Sequence, residues 1–111
     1  MSSTMSTFTV HDLATLVHER ANASPDASYT RKLLDRGVAQ CAKKLGEEAI
    51  EVALAAVDEG RDRLIAEASD LIYHLLVLLK ARGIALAEVE QALAARTAQS
   101  GLDEKAARKH S

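Results

Sequence analysis

The chain has 111 residues, of which 48% are hydrophobic and only 3% aromatic, with no Trp. A chain of this length makes one domain, and because Ala and Leu must build its core, close-packed helices are favoured over a sheet. The net charge of −2 argues against a general nucleic-acid binder, which normally carries a basic excess.

The lone cysteine and the hydropathy pattern indicate the cellular compartment in which the protein is expected. Cys41 has no second cysteine with which to form an internal disulfide or a zinc knuckle. The first residues lack the basic and apolar regions of a secretory signal, and the most apolar run, residues 71–79, is too short to span a bilayer. We therefore expect a cytoplasmic protein whose partners include neither nucleic acid nor a membrane.

Capping residues and apolar periodicity predict four to five helices. Thr9 and Asp12 have the spacing of a capping box, and Gly60 and Gly83 stand where helices should end. The first helix should end near residue 23, and the others should cover 31–36, 38–59, 61–82 and 86–98. Short connections between the later helices favour antiparallel neighbours. The sequence thus predicts an all-α antiparallel bundle over residues 8–98, with flexible ends at 1–7 and 99–111.

The predicted core follows heptad-like stripes on the last three helices. The stripes consist of Val38, Cys41, Leu45, Ala49, Val52 and Ala56; of Leu64, Ala68, Leu71, Leu75 and Leu78 or Leu79; and of Leu86, Val89 and Leu93. The helix at 61–82 also carries apolar residues on its far side, and a helix with little polar face is buried on several sides. We therefore expect a second copy of the chain to pack against this helix in a homodimer or a larger assembly.

Two groups of acids, in GEEAIE and in EASD, interrupt these apolar segments. Glu48 and Glu51 are three residues apart, as are Glu67 and Asp70, so each pair shares one side of its helix. In a hairpin around Gly60, the first pair lies twelve and nine residues before the turn, and the second pair seven and ten residues after it. The two carboxylate pairs should therefore face each other at the same level.

Carboxylates that face one another repel unless some protonate or a cation joins them. A set of oxygen ligands suits Mg²⁺, with Mn²⁺ as a substitute, and leaves coordination positions for phosphate. A ferritin-type di-iron centre is disfavoured, because the sequence has no Glu-x-x-His pair. Taken alone, each acidic pair is more often a solvated helix face, and His74 is more often a core histidine than part of a site. The combination of the two pairs predicts a magnesium site for a polyphosphate.

Three blocks carry a resemblance to a known family. They are SYTRKLLDRG (28–37), AKKLGEEAIEVALAA (42–56) and EASDLIYHLLVLLKARGIAL (67–86). Together they resemble the phosphoribosyl-ATP pyrophosphohydrolases, members of the all-α NTP pyrophosphohydrolase (MazG-type) superfamily. The acidic motifs mark the superfamily, and the blocks around them narrow the resemblance to the family.

The resemblance implies a reaction and a set of metal ligands. The family hydrolyses the α–β phosphoanhydride of 1-(5-phosphoribosyl)-ATP to 1-(5-phosphoribosyl)-AMP and pyrophosphate with Mg²⁺, which is the second step of histidine biosynthesis. Carried over, the metal ligands are Glu48, Glu51, Glu67 and Asp70. Glu47 would bind a further metal or the attacking water.

The phosphates of such a substrate call for cations. Lys32, Lys43 and Lys44 are the candidates for substrate binding. Lys44 lies among the acids one turn before Glu48, so we also assign it to catalysis with Glu47.

Two other functions stay open at this point. A MazG-type hydrolase could act on ordinary or damaged nucleoside triphosphates, since the acids do not determine the substrate. Alternatively, the chain could be a non-catalytic helical interaction domain whose acids are merely solvated.

Overall fold

The computed structural model describes residues 7–58 and 60–98, and within them it contains five α-helices and no strand. These are α1 (Val10–Ala21), α2 (Tyr29–Asp35), α3 (Val38–Asp58), α4 (Arg61–Ala81) and α5 (Leu86–Thr97). The all-α prediction is confirmed. The predicted flexible ends lie almost wholly outside the described residues, and so does Glu59, the predicted last residue of α3.

Side-chain caps determine where the first two helices begin. The Thr9 hydroxyl accepts a hydrogen bond from the Asp12 N–H at 3.1 Å, and the Asp12 carboxylate accepts one from the Thr9 N–H at 2.9 Å. This is the capping box that the sequence predicts. The Ser28 hydroxyl accepts a bond from the Arg31 N–H at 3.1 Å, so α2 begins at Tyr29, two residues before its predicted start.

The glycines next to α4 play different parts. Gly83 has a φ of 71°, and the N–H groups of Gly83 and Ile84 donate to the carbonyls of Lys80 and Leu79 at 3.0 and 2.9 Å. This Schellman motif ends α4 as predicted. Gly60 instead has extended backbone, with φ −77° and ψ 171°, at the N-cap of α4. Gly60 thus begins α4, since its carbonyl accepts the first hydrogen bond of this helix from the Leu64 N–H at 3.2 Å, and its backbone is not in the left-handed region that a glycine C-cap uses.

The core lies where α1, α2 and α3 meet α4. Its buried members are Val17, Leu33, Cys41, Leu76 and Val77. The Cys41 thiol donates to the Leu33 carbonyl at 3.4 Å, and burial raises the pKa of this thiol. A hydrogen bond of 2.6 Å between the hydroxyls of Thr30 and Tyr73 ties α2 to α4. The predicted core position of Cys41 is confirmed.

The predicted core stripes are wrong at several positions. On α4, Leu75 is 40% exposed, whereas the next two residues, Leu76 and Val77, are buried. α1, α2 and α3 all pack against α4, and periodicity cannot choose among the sides of a helix that is apolar nearly all round. The predicted core residues that are exposed on the other helices are Val38, Ala49 and Ala56 of α3 and Leu93 of α5.

α3 and α4 form the largest helix–helix contact in the described structure. Each has 21 residues, and Glu48, twelve residues before Gly60, meets Asp70, ten residues after it, so the two helices run antiparallel. None of the described helices is long and apolar enough to cross a membrane. The α3–α4 hairpin is the part of the fold that positions the predicted site.

Candidate active site

The hairpin brings three of the predicted metal ligands together. Glu48 of α3 and Glu67 and Asp70 of α4 each place one carboxylate oxygen within 4.8 Å of the others. Glu67 is buried, Glu48 is partly buried and Asp70 is exposed, so the cluster extends from the hairpin interior to its surface. The predicted pairing of acids across the turn is present for these three residues.

Two cations of the same helices form ion pairs with acids of this cluster. The Arg63 guanidinium lies 2.6 Å from Glu67 Oε2, and the Lys44 ammonium lies 3.9 Å from Glu48 Oε2 and 4.0 Å from Glu47 Oε1. Arg63 and Lys44 each stand four residues before the carboxylate that they neutralise. Such i,i+4 pairs meet on one side of a helix. Lys44 was predicted from this spacing, whereas Arg63, which has the same spacing from Glu67, was not among the predicted site residues.

His74 is buried one turn beyond Asp70 on α4. Burial lowers its pKa, while the charges of Glu48 and Asp70 raise the pKa and that of Lys44 lowers it. Its ring meets the Tyr73 ring edge to face, with the centroids 5.0 Å apart. His74 therefore belongs to the hairpin interior, as expected of a core histidine. It nevertheless lies close enough to the acids for their charge to affect its pKa.

The remaining predicted site residues lie outside the cluster of three. Glu51 is exposed on α3 and is not in the group whose oxygens converge within 4.8 Å. Glu47 is also exposed and contacts the centre through Lys44. Lys43 on α3 and Lys32 on α2 are exposed. The folded chain thus presents these four side chains at the surface.

The donor set of the cluster fits a hard divalent cation. All three ligand groups are carboxylates, and one of them, Glu67, is 5% exposed. A buried carboxylate needs a cation or hydrogen-bond donors to be stable, and here the nearest cation is the Arg63 side chain. Oxygen ligands of this kind suit Mg²⁺ or Mn²⁺ better than softer metals.

A recess opens beside the cluster, between the start of α1 and the middle of α4. Its volume is about 380 Å³, and Asp70, Phe8, Leu13 and Tyr73 contribute to its wall. A second hollow of about 510 Å³ lies between α1 and the α4–α5 junction, away from the acids. Of these two hollows, the recess beside the cluster has Asp70 in its wall, so it could hold part of a ligand bound at the acids.

Comparisons with known proteins agree with the resemblance seen in the sequence. A family profile described as phosphoribosyl-ATP pyrophosphohydrolase matches residues 10–97. Phosphoribosyl-ATP pyrophosphatase 1 of Bradyrhizobium diazoefficiens is 62% identical over 105 residues, which cover 95% of this chain and 99% of that protein. Phosphoribosyl-ATP pyrophosphatase of Nitrobacter winogradskyi is 62% identical over 104 residues, covering 94% of this chain and 90% of the relative. With both acidic motifs inside the matched region, the chain belongs to the phosphoribosyl-ATP pyrophosphohydrolase family.

Proposed function

We propose that this protein hydrolyses the α–β phosphoanhydride of 1-(5-phosphoribosyl)-ATP, releasing pyrophosphate and 1-(5-phosphoribosyl)-AMP. The reaction is the second step of histidine biosynthesis, and we place it in the cytoplasm. The single observation that carries the proposal is the convergence of Glu48, Glu67 and Asp70 within a chain of this family. Relatives that are about 60% identical over nearly the whole length carry the name of this activity.

We propose Mg²⁺ as the cofactor, with Mn²⁺ as a substitute, held by Glu48, Glu51, Glu67 and Asp70. Three of these acids already converge, and Glu51 lies one turn after Glu48 on the same helix. When bound, Mg²⁺ supplies positive charge that stabilises the phosphate oxygens during transfer. The carboxylates hold the ion, so that positioning and electrostatics provide most of the catalysis.

Lys44 and Glu47 would act next to the metal ligands. Lys44 lies within 4.0 Å of both Glu47 and Glu48, where its ammonium can bind a phosphate oxygen of the substrate. The Glu47 carboxylate can accept a proton from the attacking water or bind a further metal. Lys32 and Lys43, both exposed, would bind the outer phosphates.

We also propose that the protein is a homodimer. Five exposed residues of α3 and α4 form what we call the apolar set: Ile50, Leu54, Val57, Ile65 and Ile72. The α3 members follow i, i+4, i+7 spacing and the α4 members are seven residues apart, so each group lies on one side of its helix. A second copy of the hairpin packed on this set would give a four-helix arrangement. A symmetric pairing of this kind covers the same surface on both copies.

A pyrophosphate-release assay tests the proposed function. Purified protein is given phosphoribosyl-ATP, dATP or dUTP, with Mg²⁺ or with EDTA. We expect release from phosphoribosyl-ATP that depends on Mg²⁺ and is much faster than release from either dNTP. Turnover of the dNTPs alone would instead indicate a general NTP pyrophosphohydrolase, and no release from any substrate would indicate a non-catalytic domain.

A further inference from the structure

The ion pair between Arg63 and Glu67 has a property that an ordinary surface pair lacks. Its two side chains have very different surroundings, since the Glu67 side chain is 7% exposed and the Arg63 side chain 55% exposed. The guanidinium therefore reaches from solvent to a buried carboxylate, with 2.6 Å between Nη2 and Oε2. A charge-assisted hydrogen bond of this length is among the stronger ones in proteins.

Glu67, which pairs with Arg63, is also a member of the convergent cluster. An oxygen of Glu67 lies within 4.8 Å of oxygens from Glu48 and Asp70. A divalent cation at this cluster and the Arg63 guanidinium would both bind the Glu67 carboxylate. Two positive groups so close together repel, so the presence of one weakens the binding of the other.

We propose that Arg63 is an exchangeable counter-cation of this centre: it neutralises Glu67 when no metal is bound and turns to a phosphate group when metal and substrate are bound. This inference rests on the proposed function, because it assumes that a divalent cation and a polyphosphate meet at the cluster. The Arg63 side chain is 55% exposed and is not among the buried core residues, so a change of its rotamer leaves the core packed. Its planar array of donors matches phosphate as well as it matches carboxylate.

The exchange explains how a buried carboxylate can exist in a protein that has not yet bound metal. Without a partner, Glu67 would suffer the full cost of burying a charge. Lys44 stands in the same i,i+4 relation to Glu48, but at 3.9 Å its contact is longer and makes no close hydrogen bond. Of these two cations, Arg63 is therefore the one whose removal should change metal binding most.

The test is to measure Mn²⁺ binding by titration calorimetry in the absence of substrate, and then pyrophosphate binding in saturating Mn²⁺. For Arg63→Gln we expect Mn²⁺ to bind about tenfold more tightly, because no guanidinium has to leave Glu67. Pyrophosphate should bind about tenfold more weakly, because a phosphate partner is lost. The midpoint of thermal unfolding in EDTA should fall. A merely structural role for Arg63 would not change the affinities for Mn²⁺ and for pyrophosphate in opposite directions.

Two further variants serve as controls. Arg63→Lys keeps the charge, so its affinities for Mn²⁺ and for pyrophosphate should stay close to those of the wild-type protein. Arg61→Gln makes the same change two positions earlier, roughly 200° around α4, on another exposed arginine, and should leave both affinities as they are. If Arg63→Gln weakened Mn²⁺ binding or left both affinities unchanged, the exchange would be ruled out.

The test of the Arg63 exchange does not depend on which nucleotide is the substrate. Neither titration uses phosphoribosyl-ATP, so the exchange can fail while the wild-type protein still hydrolyses that substrate. Conversely, a wild-type protein that binds Mn²⁺ and pyrophosphate as expected but does not cleave phosphoribosyl-ATP would overturn the proposed function alone.

Discussion

In the α3–α4 hairpin, the charged cluster is paired with side chains of the same helices, whereas the apolar set is left exposed. At the cluster, the chain provides its own cations, with Arg63 at 2.6 Å from Glu67 and Lys44 at 3.9 Å from Glu48. The apolar set is left uncovered by the described helices, and its members Ile50 and Val57 are 62% and 81% exposed. A side chain one turn away can neutralise a carboxylate, whereas apolar surface can only be covered by another packed element. The first region therefore has its counter-charges within one chain, and the second is the surface on which we propose that a second copy packs.

The largest effect should come from removing one charge of the cluster. Glu48→Gln keeps the size of the side chain but takes away a ligand carboxylate, so we expect turnover of phosphoribosyl-ATP to fall on the order of 10²–10³-fold. The fold should persist and could even be more stable in EDTA, because repulsion among the carboxylates is reduced. Steady-state kinetics and urea unfolding of the same preparation measure the two effects.

Glu19→Gln is the matched control for this change, since Glu19 is exposed on α1 and lies outside the cluster. It should leave turnover unchanged. Full activity in Glu48→Gln would show that the cluster is not the metal centre.

A smaller effect is expected from placing a charge in the apolar set. Leu54→Asp would put a carboxylate into the proposed interface, and the dimer should dissociate at least about 30-fold more readily, the effect of a hot-spot residue. Sedimentation over a range of concentrations measures the association, and circular dichroism shows whether the helices remain.

Leu93→Asp provides the comparison on α5. Leu93 and Leu54 are exposed to a similar degree, 55% and 51%, but Leu93 is not in the apolar set. We expect Leu93→Asp to leave the association unchanged. If Leu93→Asp separated the dimer and Leu54→Asp did not, the interface would lie on α5 and the assignment to the hairpin would be wrong.

The smallest effect should follow from Glu51→Gln. Glu51 lies outside the group of three converging carboxylates, so it should contribute less to metal binding than Glu48, and we expect a loss of about tenfold in activity at limiting Mg²⁺. Higher Mg²⁺ should recover most of it. A magnesium titration of the rate measures this. A defect as deep as that of Glu48→Gln would place Glu51 fully in the centre, and no defect at all would remove it from the ligand set.

Much of the fold follows from local sequence signals. The Thr9–Asp12 capping box, the helix end at Gly83 and the helical class depend on residues close together in the chain, and the sequence predicts all three. The exposed positions on the predicted stripes were not predictable in this way. On these helices the neighbouring helices, rather than the local spacing, decide which face is buried.

The sequence by itself determined which acids and cations can meet along one helix. Glu67 and Asp70 share a side of α4, and Lys44 stands one turn before Glu48, because about 100° per residue fixes these relations wherever the helix packs. Only the tertiary structure decided that Glu67 is buried and that Glu51 stays outside the convergent group. The physical reason is that burial depends on which side of each helix faces its neighbours. On α4, which is apolar nearly all round, that choice was made by α1, α2 and α3 together.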